Sequence, residues 1–195
     1  MKREQIVKQI ADIKNNSAAN KIAAFSSLLL ESAKEGYHDL VATLIKDGAA
    51  VNHVDSLGQA VLMYATESGH TEIAELLITS GAKVDQTDNY GGTALMSAAY
   101  NGHIDIARLL IDQGAKVGQT DNDGWTPLMY STIQNRLKTT KLLIAKGAEV
   151  DHTDSVGHTA LLYADSVGHT EIAQMLALGT DVNLDLYFQI KYSVC

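Results

Sequence analysis

The chain has 195 residues, a net charge of −8 and a pI near 5.2. That acidity argues against a nucleic-acid partner, which needs a positive field, and suits a neutral or basic patch on another protein. One cysteine, Cys195, excludes an internal disulfide, so the fold need not depend on an oxidising compartment.

Residues 1–21 read as an N-terminal capping helix and linker. Ile6, Val7, Ile10 and Ile13 recur at helical spacing. The apolar stripe is read as a cover for the first helices after residue 21 rather than as a membrane or partner segment. The charges at Lys2, Arg3, Glu4, Lys8, Asp12 and Lys14 leave no apolar region of a secretory signal. No run in the chain approaches the length of a membrane span. A cytoplasmic protein with no membrane attachment is the expectation.

From residue 22 to 185 the chain repeats itself. Gly58, Gly91, Gly124 and Gly157 are 33 residues apart, and Gly48, Gly81, Gly114 and Gly147 keep the same period. A third column runs Gly36, Gly69, Gly102, Asn135, Gly168. A fixed period of this length is the mark of a stacked-repeat protein. The units are 22–54, 55–87, 88–120, 121–153 and 154–185. The first is degenerate, with Phe25, Ser26 and Ser27 where the others have a turn.

Residues 88–120 show the unit most clearly. Asp88-Asn89-Tyr90-Gly91 is turn chemistry, and Thr93 can cap the helix after it. Leu95, Ala98 and Ala99 give that helix a narrow apolar face, and Asn101-Gly102 stops it. Ile104, Ile106, Ala107, Leu109, Leu110 and Ile111 form a second helix, and residues 116–120 are an extended return. Such a pair cannot bury its own apolar faces, so it must stack on its neighbours. In the fourth unit Thr139 and Thr140 replace the Ile and Ala of the other units, which predicts a soft repeat. Asp165, in a column with Ala33, Thr66, Ala99 and Thr132, is read as a satisfied polar residue, either bonded to Thr132 or reached by solvent.

Residues 186–195 stand apart as a C-terminal tail. Leu186, Phe188, Ile190, Tyr192 and Val194 alternate with mostly polar residues, a strand signal. The tail is expected to cover the last helix pair; the other reading is an exposed edge that pairs with another chain.

Thr93-Ala94-Leu95-Met96 and Thr126-Pro127-Leu128-Met129, the Gly-His pairs at Gly69-His70, Gly102-His103 and Gly168-His169, and the exits Gly81-Ala82, Gly114-Ala115 and Gly147-Ala148 make the chain resemble the ankyrin repeat family. The resemblance covers roughly residues 22–185. It implies an all-α solenoid of helix pairs with β-turn fingers, about five repeats plus N- and C-terminal caps. It also implies a concave protein-binding face. The departures are Met63, Met96, Met129 and Leu162, where the family usually has His.

Catalysis finds little support. His53-Val54-Asp55-Ser56 and His152-Thr153-Asp154-Ser155 contain triad residue types, but neighbours in an extended loop point apart. The repeat accounts for the aspartates as turn formers. His152 and His158 near one finger lack a third metal ligand. No enzyme, metal or cofactor is expected.

Individuality lies where the repeats differ. The inner-helix column reads Tyr64, Ser97, Tyr130, Tyr163, and the column three residues on reads Glu67, Tyr100, Ile133, Ser166. These share one face, distinct from the core face of Leu62, Leu95, Leu128 and Leu161. Finger tips carry Leu57, Tyr90, Asp123 and Val156, with Gln59, Gly92, Trp125 and His158 two residues later. The candidate protein-binding residues are therefore Leu57, Tyr64, Tyr90, Tyr100, Trp125, Tyr130, Ile133, Val156 and Tyr163. The expected function is a monomeric, non-enzymatic scaffold that binds a partner protein through the concave face and finger tips. The alternative is a dedicated inhibitor or immunity-type protein that occludes a partner enzyme's active site.

Overall fold

The computed structural model describes residues 3–15 and 21–179. Helix α1 (Arg3–Asn15) precedes five helix pairs. The first members are α2 (Lys21–Glu35), α4 (Val61–Glu67), α6 (Ala94–Asn101), α8 (Pro127–Ile133) and α10 (Ala160–Ser166), and they pack side by side in one layer. The second members are α3 (His38–Lys46), α5 (Thr71–Thr79), α7 (Ile104–Asp112), α9 (Leu137–Ala145) and α11 (Thr170–Gly179), and they form the other layer. Outside the helices the described residues form only isolated bridges, Val54 with Ala60 and Thr153 with Thr159. The all-α solenoid is as the sequence implies. The tail 186–195, with Cys195, lies outside the described residues.

Helices α4, α6, α8 and α10 have seven or eight residues, too short to persist alone in water. Stacking supplies what propensity cannot. Leu62, Leu95 and Leu128 are buried in turn along the first layer, and Ile73, Ile106, Leu77 and Leu110 along the second. Between the layers sit alanines with no exposed surface, among them Ala65, Ala74, Ala98 and Ala107. Their small side chains let the helices of each pair approach closely. Threonines open three of the short helices. Thr93, Thr126 and Thr159 each accept the N–H three residues on, at 3.3 Å.

Each unit also reaches back to the one before it. His70 Nε2 lies 3.2 Å from the Lys34 carbonyl, His103 Nε2 3.2 Å from Glu67 and His169 Nε2 3.2 Å from Ile133. In the fourth unit Arg136 stands in the histidine position, and its Nε donates to the Tyr100 carbonyl at 3.0 Å. All four carbonyls belong to the last turn of an inner helix, where no intrahelical donor remains. The glycine columns make this approach possible. Gly102 has φ +78°, and a Cβ there would meet Arg136 Cδ at 2.7 Å. Asn135 keeps the same left-handed conformation, φ 55°, without being glycine.

The first unit departs from the rest for a visible reason. Without a turn, Phe25, Ser26 and Ser27 are absorbed into α2, which runs 15 residues. Phe25 is buried, and Ser26 Oγ accepts the Ala50 N–H at 2.8 Å. Ile6 and Ile10 of α1 join the core, and α1 packs on α2. Lys14 pairs with Asp47 at 2.6 Å, and Arg3 pairs with Asp39. Both acceptors lie on or just after α3, so the pairs hold α1 across the first unit. Of the apolar stripe, Ile6 and Ile10 are buried against the stack, Ile13 is partly buried and Val7 is exposed.

The fourth unit carries hydroxyls where others carry methyls. Ser131 donates to Leu128 O at 2.9 Å, meets Thr140 Oγ1 at 3.0 Å, and Thr140 bonds Arg136 O at 3.0 Å. Thr140 is therefore buried but satisfied. Thr139 is buried beside it. Asp165 is only half-buried and is engaged rather than orphaned. Thr132 is not its partner: that hydroxyl is buried with no hydrogen-bond partner among the described residues.

One inter-repeat link is missing. Asn52 Oδ1 accepts the Lys83 N–H at 2.8 Å, and Asp85 Oδ1 accepts the Lys116 N–H at 3.0 Å. The next residue in that column is Gly118, which has no side chain to offer Glu149. A Cβ at Gly118 would touch nothing within 4 Å, and its φ is not in the left-handed region. Gly118→Asn is expected to raise stability by about 1 kcal/mol, through one hydrogen bond and a less flexible unfolded chain. Thr139→Ile is expected to add about 1 kcal/mol by restoring buried apolar surface. Thermal unfolding of each variant checks both; an unchanged or lower midpoint refutes the corresponding assignment.

Candidate functional site

Every finger is built on an aspartate. Asp55 Oδ1 accepts the N–H groups of Leu57 and Gln59 at 2.8 and 2.9 Å, and Asp88 Oδ1 those of Tyr90 and Gly92, both at 2.8 Å. Asp121 Oδ1 does the same for Asp123 and Trp125 at 3.0 and 2.8 Å, and Asp154 Oδ1 for Val156 and His158 at 3.0 and 2.9 Å. Such local bonding is why Asp opens a turn so readily. The second oxygen ties the finger to the inner helix. Tyr64 Oη donates to Asp55 Oδ2 at 2.8 Å, Tyr130 Oη to Asp121 Oδ2 at 2.5 Å, and Tyr163 Oη to Asp154 Oδ2.

The third unit breaks the pattern. Nine residues after Asp88 comes Ser97, and among the described residues no donor reaches Asp88 Oδ2. The fingers still run together. Asn89 N–H donates to Leu57 O at 3.0 Å, Asn122 N–H to Tyr90 O at 2.9 Å and Ser155 N–H to Asp123 O at 2.9 Å. These bonds hold the tips in one row.

Rings fill the angle between fingers and inner helices. Tyr100 meets Tyr130 edge to face with centroids 6.2 Å apart. Trp125 lies 5.3 Å from Tyr130 and 4.4 Å from Tyr163, and His158 stands on Tyr163 at 5.5 Å. Such spacings are those of attractive aromatic pairs. One continuous stripe therefore crosses the third, fourth and fifth units. Tyr100 is 44% exposed, while Trp125, Tyr130 and Tyr163 are half-buried.

The other candidates are placed differently. Leu57, Tyr90 and Val156 are exposed at the finger tips, Tyr90 and Val156 by 65% and 70%. Ile133 is half-buried, and its carbonyl accepts from His169. Tyr64 stands at the far end, with the Lys34 ammonium over its ring at 5.6 Å. Two features go beyond the sequence candidates. His158 extends the stripe, and its only signal in the sequence is the column it shares with Trp125. The aspartates are partners of the tyrosines as well as turn formers, which their constant nine-residue spacing reflects. His152 turns to the Gly124 carbonyl at 3.1 Å. Among the described residues no three His, Cys, Asp or Glu side chains gather as a metal site.

The Asp–Tyr pairs set their own titration. Burial pushes the Tyr64 and Tyr163 hydroxyls up, and the hydrogen bond to a carboxylate adds to it, reaching about 12 in each. Tyr130 moves in the same direction for the same reasons. For Asp55 and Asp154, burial raises the carboxyl, but the tyrosine hydroxyl and two backbone N–H groups outweigh it and leave the net value below the ordinary one. Linkage fixes the signs. A tyrosine raised from 10 to about 12 stabilises the fold fully below pH 10 and loses that contribution as pH rises to 12. A depressed carboxylate stabilises above its unfolded value and loses that contribution as pH falls below 3.8. The unfolding midpoint is expected to fall along both limbs. Tyr64→Phe and Tyr163→Phe should flatten the alkaline limb; equal slopes with and without the hydroxyls would refute the pairing.

A family model described as ankyrin repeats (3 copies) matches residues 29–121 and again 114–185. No curated protein matches the chain. No helix among the described residues is long and apolar enough to cross a membrane. The matched stretches span most of the chain, and with the finger, inner helix, outer helix order they establish that it belongs to the ankyrin repeat family.

Proposed function

We propose that this protein is a non-enzymatic scaffold that binds a partner protein on the side where the fingers meet the inner helices. Ankyrin repeats are generally protein–protein interaction modules, and the finer reading rests on one observation: the stripe of Tyr100, Tyr130, Trp125 and Tyr163, flanked by the exposed tips Leu57, Tyr90 and Val156. Rigid aromatic groups lose little entropy on binding and are enriched at hot spots. The stripe is preorganised, because the Tyr130 and Tyr163 hydroxyls are already held by finger aspartates. Tyr64 extends the same face into the second unit, and Ile133 lies beside Tyr130 on α8. The second layer presents Glu72, Glu75, Asp105, Arg108, Lys138 and Glu171, all exposed, as an ordinary solvated surface.

The test compares the two sides. With a partner isolated by affinity capture and identified, Tyr90→Ala, Tyr100→Ala and Trp125→Ala are each expected to weaken binding by about 2 kcal/mol or more. Tyr130→Ala should do so too, but it also breaks the Asp121 bond, so circular dichroism must show the variant folded. Glu75→Ala and Arg108→Ala should leave affinity unchanged. Calorimetric titration that gives the opposite ranking overturns the proposed face.

A further inference from the structure

We infer that the third unit carries a socket for a cationic side chain of the partner, best matched by arginine. The inference rests on the finger-and-inner-helix side being the binding side, and it names the chemistry recognised there. Where the second, fourth and fifth units place a tyrosine against the finger aspartate, the third has Ser97, and a cavity of about 220 Å³ lies beside it. That is room for a side chain rather than a single water. Its walls include Gln59, Glu67, Asp88, Ser97, Tyr100 and Tyr130, and no lysine or arginine among the described residues lines it.

Comparison with the previous unit shows what is missing. There, the Lys34 ammonium sits over the Tyr64 ring, and the Tyr64 hydroxyl satisfies Asp55. One repeat on, the residue in the Lys34 column is Glu67 and the residue in the Tyr64 column is Ser97. The internal cation has become an anion, and the hydroxyl donor has gone. Asp88 keeps Oδ1 occupied by the Tyr90 and Gly92 N–H groups, which hold the carboxylate in place, while Oδ2 has no donor among the described residues. Two acidic residues and two tyrosines thus line one open space in a chain of net charge −8. A guanidinium fits this set because it donates in a plane to carboxylates and stacks on aromatic faces. A phenol could donate to Asp88 but would leave Glu67 facing an uncharged group.

The experiment uses the whole chain and small probes. Nα-acetyl-arginine methylamide is titrated while amide shifts are followed by NMR, with the citrulline analogue as an isosteric neutral control and the tyrosine analogue as the phenol control. Saturable shifts centred on Asp88, Gly92, Ser97 and Tyr100 are expected, with citrulline at least about tenfold weaker because a charge-assisted bond is lost. Asp88→Asn retains the Oδ1 acceptor of the turn and should weaken the arginine probe by a similar factor. Ser97→Tyr should fill the socket, abolish the shifts and raise the unfolding midpoint by restoring the Asp–Tyr bond. The inference is overturned by equal response to citrulline, by a stronger response to the tyrosine probe, by unchanged binding in Ser97→Tyr, or by no saturable shift up to about 50 mM, well above the millimolar range expected of one side chain. If these probes fail while Trp125→Ala still weakens partner binding, the socket falls and the binding side stands.

Discussion

The stack depends on a hydrogen bond that each unit makes to a carbonyl it does not own. The last turn of an inner helix leaves carbonyls without intrahelical donors. His70, His103, Arg136 and His169 supply one from the next unit, at 3.0–3.2 Å. The bond requires close approach, and a left-handed residue just after the helix turns the chain to allow it. At Gly36, Gly69 and Gly102 the missing side chain matters as well, since a Cβ on each would lie 2.6–2.8 Å from the incoming side chain; Asn135 keeps the conformation with a Cβ, and His169 still makes its bond. Substitution of arginine for histidine at 136 preserves the bond with different chemistry, because Nε–H is also a planar donor.

A second constraint joins the fingers to this stack. One carboxylate in each finger uses one oxygen to shape its own turn. In three units its other oxygen grips a tyrosine on the inner helix. Turn geometry and helix position are thereby coupled through a single residue, and the aromatic rings are held in place before any partner arrives. The same constraint makes an exception informative. Ser97 loosens one grip, and the cavity it leaves lies between rings that remain fixed by their neighbours.

Buried hydroxyls and aromatic rings are distributed unevenly along the solenoid. The fourth unit has the hydroxyls of Ser131, Thr139 and Thr140 in its core and Asn135 in a glycine position, and it also contributes Trp125 and Tyr130 to the aromatic stripe. In a one-dimensional stack, stability is the sum of units and the interfaces between them. The interfaces of the fourth unit are kept by the Arg136 bond and by the packing of α8 against α6 and α10.

The period was legible in the sequence because its physical causes are local. Glycines are needed at left-handed positions, threonines at helix starts, and Leu or Ile at the core face, so the columns repeat wherever the unit repeats. The core leucines Leu62, Leu95 and Leu128, the cap Thr93, and the apolar spacing of Ile6 and Ile10 could be read from the sequence. The degenerate first turn could be seen as a departure, but not that Phe25 and Ser26 would continue a helix, since that depends on what Ala50 and α1 bring to it. Tertiary structure alone decided which rings meet. Tyr100, Tyr130, Trp125 and Tyr163 come from columns with different offsets, and only the rise and rotation between units sets their centroids 4.4–6.2 Å apart. It also decided that Asp88 is left facing a cavity: the missing tyrosine can be read in a column, but whether neighbours collapse into the gap is a question of packing.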